Sequence, residues 1–228
     1  MPLNEIPLAE RLRPTTLDEF MGQNKILGAG SLLRRSLETD SIPSMIFWGP
    51  PGCGKTSLAN VIKNQSSKKF VSLSAVSSGV KDVKTVLAEA KEPNLLNPHG
   101  TILFIDEIHR FNKSQQDALL GAVEDGTVTL IGATTENPGF EVNSALLSRC
   151  QLILFAPLQE DELEKLLFNA LHNDPRGLCR KDVELTKEVA KKLIALADGD
   201  ARFLLNQLEW IVASLGDKKV IDETFLEE

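Results

Sequence analysis

The sequence predicts a doubly wound α/β fold, a five-stranded parallel sheet with helices on both faces, followed by a small all-helical domain. Three observations carry this prediction. Five short apolar runs, at 45–48, 70–73, 101–105, 128–133 and 151–155, alternate with stretches of helical periodicity. The run at 101–105, Thr-Ile-Leu-Phe-Ile, is apolar without a break. That suits a parallel strand covered on both faces. After Pro157 such runs stop, and only helical spacing remains.

Residues 10–23 read as a folded lead-in. Leu12, Leu17 and Phe20 are its apolar anchors, and Pro14 and Gly22 mark bends. Ser31 opens an amphipathic helix over 31–38, with Leu32, Leu33 and Leu37. The strand at 45–48 runs into a glycine loop and then a helix bearing Leu58, Val61 and Ile62. Val80, Val83, Leu87 and Ala90 line a helix face that ends at Pro93, and residues 93–100 form a loop. Over 114–124, Ala118, Leu119, Ala122 and Val123 point inward, and Gly126 ends the helix. A short helix with Ser144 as its cap reaches Arg149.

A boundary near Pro157 separates residues 1–157 from 158–228. The second part has three helix faces. They are Leu163, Leu166, Leu167, Ala170 and Leu171; Val189, Leu193 and Leu196; and Leu204, Leu208, Ile211 and Leu215. Residues 172–182 read as a polar loop. Residues 222–228 look like the start of a further helix, so the chain is expected to be truncated there.

Composition narrows the function. Of 228 residues, 42% are hydrophobic and 25% charged, ordinary values for a globular protein. No apolar stretch is long enough for a membrane span. The N-terminus has no basic segment followed by an apolar one, so no signal peptide is expected. Cys53, Cys150 and Cys179 cannot all pair and lack metal-ligand spacing, which suits a reduced, intracellular protein. The net charge of −7 argues against a globally basic nucleic-acid binder but leaves room for a local basic groove.

The chemistry is concentrated at a few strand ends. Residues 49–56, Gly-Pro-Pro-Gly-Cys-Gly-Lys-Thr, match G-x-x-x-x-G-K-[ST] at every fixed position, between a strand and a helix. Glycines 49, 52 and 54 let backbone N–H groups close around phosphate oxygens, and the helix start adds more. Lys55 can neutralise β- and γ-phosphates, and the Thr56 hydroxyl can hold Mg²⁺. Asp106 ends a buried strand, where ligands bind in open α/β sheets, and can hold Mg²⁺ through water. Glu107 can activate a water as general base, which points to hydrolysis rather than to a kinase. A lone histidine is more often structural than a ligand or base, so His109 is read as structural. Thr134 and Thr135 end the fourth strand and could orient a water or simply be a polar strand end. Arg149 and Arg202 read as solvated charges unless a nucleotide lies near them.

Together these residues resemble an AAA+ ATPase over nearly the whole chain. The lead-in at 10–23 is similar to the family's Box II, which helps bind adenine; the resemblance assigns Arg13, Pro14, Gly22 and Gln23 to the nucleotide. Residues 49–56 resemble Walker A, which extends the ATP contacts to Pro51, Gly52, Cys53, Gly54, Lys55, Thr56 and Ser57. Residues 102–107 resemble Walker B. Thr135 falls where sensor 1 is expected, with Thr134 as the rival. Ser148-Arg149-Cys150 resembles the arginine-finger motif of clamp loaders, and Arg202 matches sensor 2.

Residues 107–117 and 131–138 bear a narrower resemblance, to the RarA/MgsA branch that includes the eukaryotic Werner-helicase-interacting protein. That branch implies a DNA-dependent ATPase of stalled replication forks and recombination. It uses ATP and Mg²⁺ and assembles as a homotetramer through a C-terminal domain. This chain stops before that domain, so a monomer is expected for it. It also lacks the zinc finger of the eukaryotic members. The implied location is the nucleus in a eukaryote and the cytoplasm in a bacterium, with replication proteins as further partners. Rival readings are a clamp-loader subunit, a non-hydrolysing nucleotide-binding scaffold and a small-molecule kinase. Intact Lys55, Asp106 and Glu107 argue against the scaffold.

Overall fold

A computed structural model describes residues 6–92 and 99–227. The chain opens with α1 (Leu8–Arg11), α2 (Asn24–Leu27) and α3 (Leu32–Glu38). β1 (Met45–Trp48) leads through the glycine loop into α4 (Lys55–Gln65). β2 (Lys69–Ser74), α5 (Val80–Lys91) and β3 (Thr101–Asp106) follow. A 3₁₀ turn (Ile108–Arg110) precedes α6 (Lys113–Glu124), β4 (Val128–Thr134), α7 (Pro138–Glu141), α8 (Ser144–Leu147) and β5 (Gln151–Leu154). The remainder is α9 (Glu160–Phe168), a π turn (Asn169–Asn173), β6 (Glu184–Leu185), α10 (Lys187–Ala197), α11 (Ala201–Ser214), β7 (Val220–Ile221) and α12 (Glu223–Glu227).

The five main strands form one parallel sheet in the order β2-β3-β4-β1-β5. Met45 lies opposite Ile131 on one side and Gln151 on the other. Successive side chains in a strand point to opposite faces. Along β3, Ile102 and Phe104 therefore enter one buried cluster, while Leu103 and Ile105 enter the other. This is why the third run is apolar at every position. The cluster on the Leu103 face also takes Val83 and Leu87 from α5 and Leu119 from α6. The cluster on the Ile102 face takes Leu58 and Ile62 from α4 and continues through Phe155, Leu158 and Leu163 to Leu204, Leu208 and Ile211.

Several expectations are corrected in detail. On α10 Leu196 is 69% exposed, and the buried face is Val189, Ala190, Leu193, Ile194 and Ala197. Both sets have helical spacing, and packing against α9 and α11 selects between them. The cap of α8 is Asn143, whose Oδ1 accepts from Ala145 N at 2.9 Å, and not Ser144. Beyond Pro157, where the sequence predicts no strand, β6 and β7 pair in parallel, Glu184 with Val220 and Leu185 with Ile221. A two-residue pairing leaves no periodic signature to read. In α6, Gln115 and Gln116 are buried while Ala118 is only partly so. Gln116 donates to the carbonyls of Phe111 and Glu141 and accepts from Asn143 N. Of the loop expected at 93–100, residues 93–98 lie outside the described residues.

The close approach of Gly49, just after β1, to Phe155, just after the neighbouring β5, gives a stability test. A Cβ on Gly49 would stand 2.5 Å from Phe155 O and 2.7 Å from Phe155 Cβ. Gly49→Ala should therefore lower the thermal midpoint by roughly 3–10 °C through overpacking. Gly121, in α6, should respond oppositely, because a Cβ there would meet nothing within 4 Å. Gly121→Ala should raise the midpoint by roughly 1–4 °C, because alanine is the better helix former. Calorimetry of both variants checks the pair.

Candidate active site

A cavity of about 800 Å³ opens at the carboxyl ends of β1 and β3, walled by the glycine loop, the lead-in and the helices after Pro157. The loop makes its turns through Gly52 and Gly54, whose φ values are +65° and +103°. Those are left-handed conformations that residues with a side chain rarely adopt. Gly54 is also the N-cap of α4, so the free N–H groups of that helix face the loop's interior. Phe20, which also lines the cavity, packs on Gly54, with Cζ 2.6 Å from where a Cβ would be.

Pro51, Gly52, Cys53, Gly54, Lys55, Thr56 and Ser57 all line the cavity, as do Asp106, Glu107, Thr135 and Arg202. Lys55 is buried, and its ammonium donates to the carbonyls of Gly49 at 2.8 Å and Pro50 at 2.7 Å. Thr56 Oγ1 stands 3.5 Å from Asp106 Oδ2. This hydroxyl and carboxylate are hard oxygen donors. Two such protein ligands suit Mg²⁺, which keeps waters and phosphate oxygens for its other positions. Among the described residues there is no group of three or more His, Cys, Asp or Glu that could make an all-protein metal site.

Glu107 sits at φ +55°, a left-handed residue just past the strand. Its Oε2 is buried without a hydrogen-bond partner. His109 Nδ1 lies 3.2 Å away but is not aligned to bond it. His109 instead meets Thr134 Oγ1 at 3.0 Å, and that hydroxyl also bonds the backbone of Glu136. Thr134 is thus wholly buried and turned away, while its neighbour Thr135 faces the cavity. Glu107 lines the cavity beside Asp106, with this oxygen turned inward toward His109.

Other sequence-predicted residues divide. Arg13 and Pro14 line the cavity. Gly22 and Gln23 do not. Gly22 abuts Glu162, and the carboxamide of buried Gln23 is taken up by the backbone of Cys53 and Ala156. Arg149 is also outside the cavity. It pairs with Glu124 at 2.9 Å and donates to Ala145 O at 2.7 Å. In the next residue, burial pushes the Cys150 thiol up to about 11.

Sequence reading missed the far wall of the cavity, which comes from Asn169, Asn173, Asp174, Pro175 and Arg176. Its one local signal is the charged character of a segment read as a polar loop. Arg176 pairs with Asp174 at 3.0 Å and with Glu19 of the lead-in at 3.2 Å, and it donates to Arg13 O. Arg11 donates from the lead-in to the carbonyls of Arg176 and Gly177. Hydrogen bonds from Arg176 hold the Asp174 carboxyl below the usual carboxylate range, and the Thr15 N–H followed by Arg176 does the same for Glu19.

Both carboxylates stabilise the fold fully above their ordinary value of about 4 and lose that contribution as pH falls through the lowered values. Between pH 5 and 3 the thermal midpoint should therefore drop further for the wild type than for Arg176→Ala, which has less of this contribution to lose. Parallel acid-side melting curves of the two proteins check this.

Residues 45–158 match the model of the family described as "ATPase family associated with various cellular activities (AAA)". The chain is 50% identical over 206 residues to "Replication-associated recombination protein A" of Coxiella burnetii (strain RSA 493 / Nine Mile phase I), covering 90% of this chain and 46% of that protein. It is 46% identical over 226 residues to the protein of the same name from Escherichia coli (strain K12), covering 97% of this chain and 50% of that protein. "ATPase WRNIP1" of Dictyostelium discoideum is 43% identical over 222 residues, 97% of this chain and 25% of that protein. The chain thus spans about half the length, or less, of these curated relatives. Among solved structures, the Thermotoga maritima RuvB Holliday junction branch migration motor superposes with a TM-score of 0.75 at 28% identity, over 95% of this chain and 71% of that one. The chain belongs to the AAA family of ATPases.

Proposed function

We propose that this chain is the ATP-hydrolysing module of a DNA-maintenance protein of replication-associated recombination. What supports this most is the convergence of Lys55, Thr56, Asp106 and Glu107 on one cavity at the strand ends. The names of the relatives supply the biological setting. The α/β part, 1–157, and the helical part, 158–228, act as two domains that hinge near Pro157 around the nucleotide. The loop N–H groups and Lys55 take the β- and γ-phosphates, Lys55 exchanging the Gly49 and Pro50 carbonyls for phosphate oxygens. Arg13 and Pro14 flank the base.

Thr56 and Asp106 hold Mg²⁺, which supplies neutralisation of the charge on the phosphate oxygens. Glu107 takes a proton from the attacking water and Thr135 orients that water. Arg202, at the first turn of α11, faces the γ-phosphate from the helical part. Arg149 lies away from its own chain's cavity and completes the site of a neighbouring copy in a homo-oligomer. DNA, in forked or single-stranded form, is the macromolecular partner, and the setting is intracellular. Among the described residues no helix is long and apolar enough to cross a membrane.

Lys55→Ala should abolish most binding of a fluorescent ATP analogue. Glu107→Gln should keep that binding and cut phosphate release by about 10²–10⁴. Wild-type turnover from Glu107→Gln would remove Glu107 from the role of base.

Phosphate release per molecule should also rise with protein concentration, because an arginine supplied by a neighbour is worth about 10³–10⁵ in rate. Arg149→Ala should flatten that rise without weakening nucleotide binding. Sedimentation run beside the assay relates rate to assembly. Full activity from a demonstrated monomer, untouched by Arg149→Ala, would exclude the arrangement in trans.

A further inference from the structure

Gln23 hydrogen-bonds the phosphate loop and the segment that follows β5 at the same time. It is 9% exposed and sits at φ +59°, directly after Gly22 at φ +72°. Two left-handed residues in succession turn the lead-in sharply, and a glutamine rarely takes that conformation. The turn aims its side chain inward. Nε2 donates to Cys53 O at 3.2 Å and to Ala156 O at 2.6 Å, and Oε1 accepts from Ala156 N at 3.1 Å.

Each partner needs this help. A phosphate loop turns its N–H groups toward the ligand, which leaves a carbonyl such as Cys53 O facing the protein. Ala156 is the first residue after the last ladder bond of the β5 edge, Phe155 N to Trp48 O at 2.7 Å. The next residue, Pro157, has no N–H, and Leu158 N already turns to Gly199 O at 3.2 Å. Ala156 thus leaves the sheet with no strand beside it to take its N–H and C=O. A carboxamide presents a donor and an acceptor side by side, so it can satisfy the N–H and the C=O of one residue as a neighbouring strand would. Leaving such groups unpaired is costly.

We infer that Gln23 is a positioning residue that makes the phosphate loop and the junction at Ala156–Pro157 one mechanical unit. Nucleotide held by the loop then also holds α9 and α11 in place. This rests on the nucleotide reading of the cavity but assigns Gln23 no contact with the nucleotide. Gln23→Glu keeps the acceptor toward Ala156 N and sets a carboxylate oxygen against two carbonyls. Gln23→Met keeps the volume and loses every bond.

Hydrogen exchange by mass spectrometry, with and without a non-hydrolysable ATP analogue and Mg²⁺, reads the coupling. In the wild type the analogue should slow exchange in residues 49–58 and in α9 and α11 together. In either folded variant, affinity for the analogue should fall roughly tenfold. At saturation the loop should still be protected, while the protection of α9 and α11 falls by a similar factor. A purely structural Gln23 would lower the midpoint without nucleotide and leave the joint protection intact. Wild-type joint protection in a folded variant overturns the inference. So does loss of the fold in both variants by circular dichroism, which makes Gln23 a core residue only. A wild type that neither binds the analogue nor gains protection overturns the nucleotide reading itself, whatever Gln23 does.

Discussion

The site depends on two glycines that carry the turns of one loop. Between β1 and α4 the chain turns through left-handed conformations at Gly52 and Gly54. The lack of a Cβ at these two positions lets other parts of the protein pack closely against the loop. Asp200, the N-cap of α11, occupies the space that a Cβ on Gly52 would need, and Phe20 occupies the space beside Gly54. The loop is therefore wedged between the lead-in and the start of α11. Any side chain at either glycine would strain the turn and push one of those neighbours away.

Wedging requires the first residues of the chain to lie against its last helices. Leu8 N donates to both oxygens of Glu209 in α11 at 3.0 Å, and Leu8 itself is fully buried. Arg11 reaches the carbonyls of Arg176 and Gly177, and Arg176 reaches back to Glu19 and Arg13. Of these residues Arg13, Glu19 and Arg176 line the cavity, and Leu8, Arg11 and Glu209 brace them from outside it. These contacts join residues that stand more than 150 positions apart in the sequence. Charge pairs at a partly exposed rim add little stability singly, so their effect is to fix orientation.

That span explains what is legible in the sequence and what is not. The central strands β1, β3 and β4 are legible because each is a run of apolar residues covered on both faces, and the edge strands β2 and β5 because they keep apolar residues although they are largely exposed or half-buried. The phosphate loop and the Asp106–Glu107 pair are legible because spacing within a few residues defines them. The resemblance of the lead-in to Box II implies a nucleotide contact for Gln23. Its actual partners lie 30 and 133 residues away, and no local pattern marks such a bond. Asn169 to Arg176 escape notice as cavity wall for the same reason. Leu196 misleads because 189, 193 and 196 have helical spacing, and the choice of buried face is made by α9 and α11, not by α10 alone.

The acidic pair shows how a local exception to a regular pattern produces chemistry. In an extended strand Asp106 and Glu107 would point to opposite faces of the sheet. One carboxylate would then enter the cavity and the other a hydrophobic layer, where its charge could not be sustained. The ladder of β3 ends at Asp106, and Glu107 turns left-handed into the 3₁₀ turn that follows. That turn is pinned from below by fully buried Ile108, which packs in the Leu103 cluster. The core thus sustains an uncommon backbone conformation at Glu107, and the result is two adjacent carboxylates lining one cavity. One lies within reach of the Thr56 hydroxyl, and the other has an oxygen 3.2 Å from His109 Nδ1. Consecutive carboxylates at the end of β3 thus reach one cavity, a placement that a regular strand would not allow.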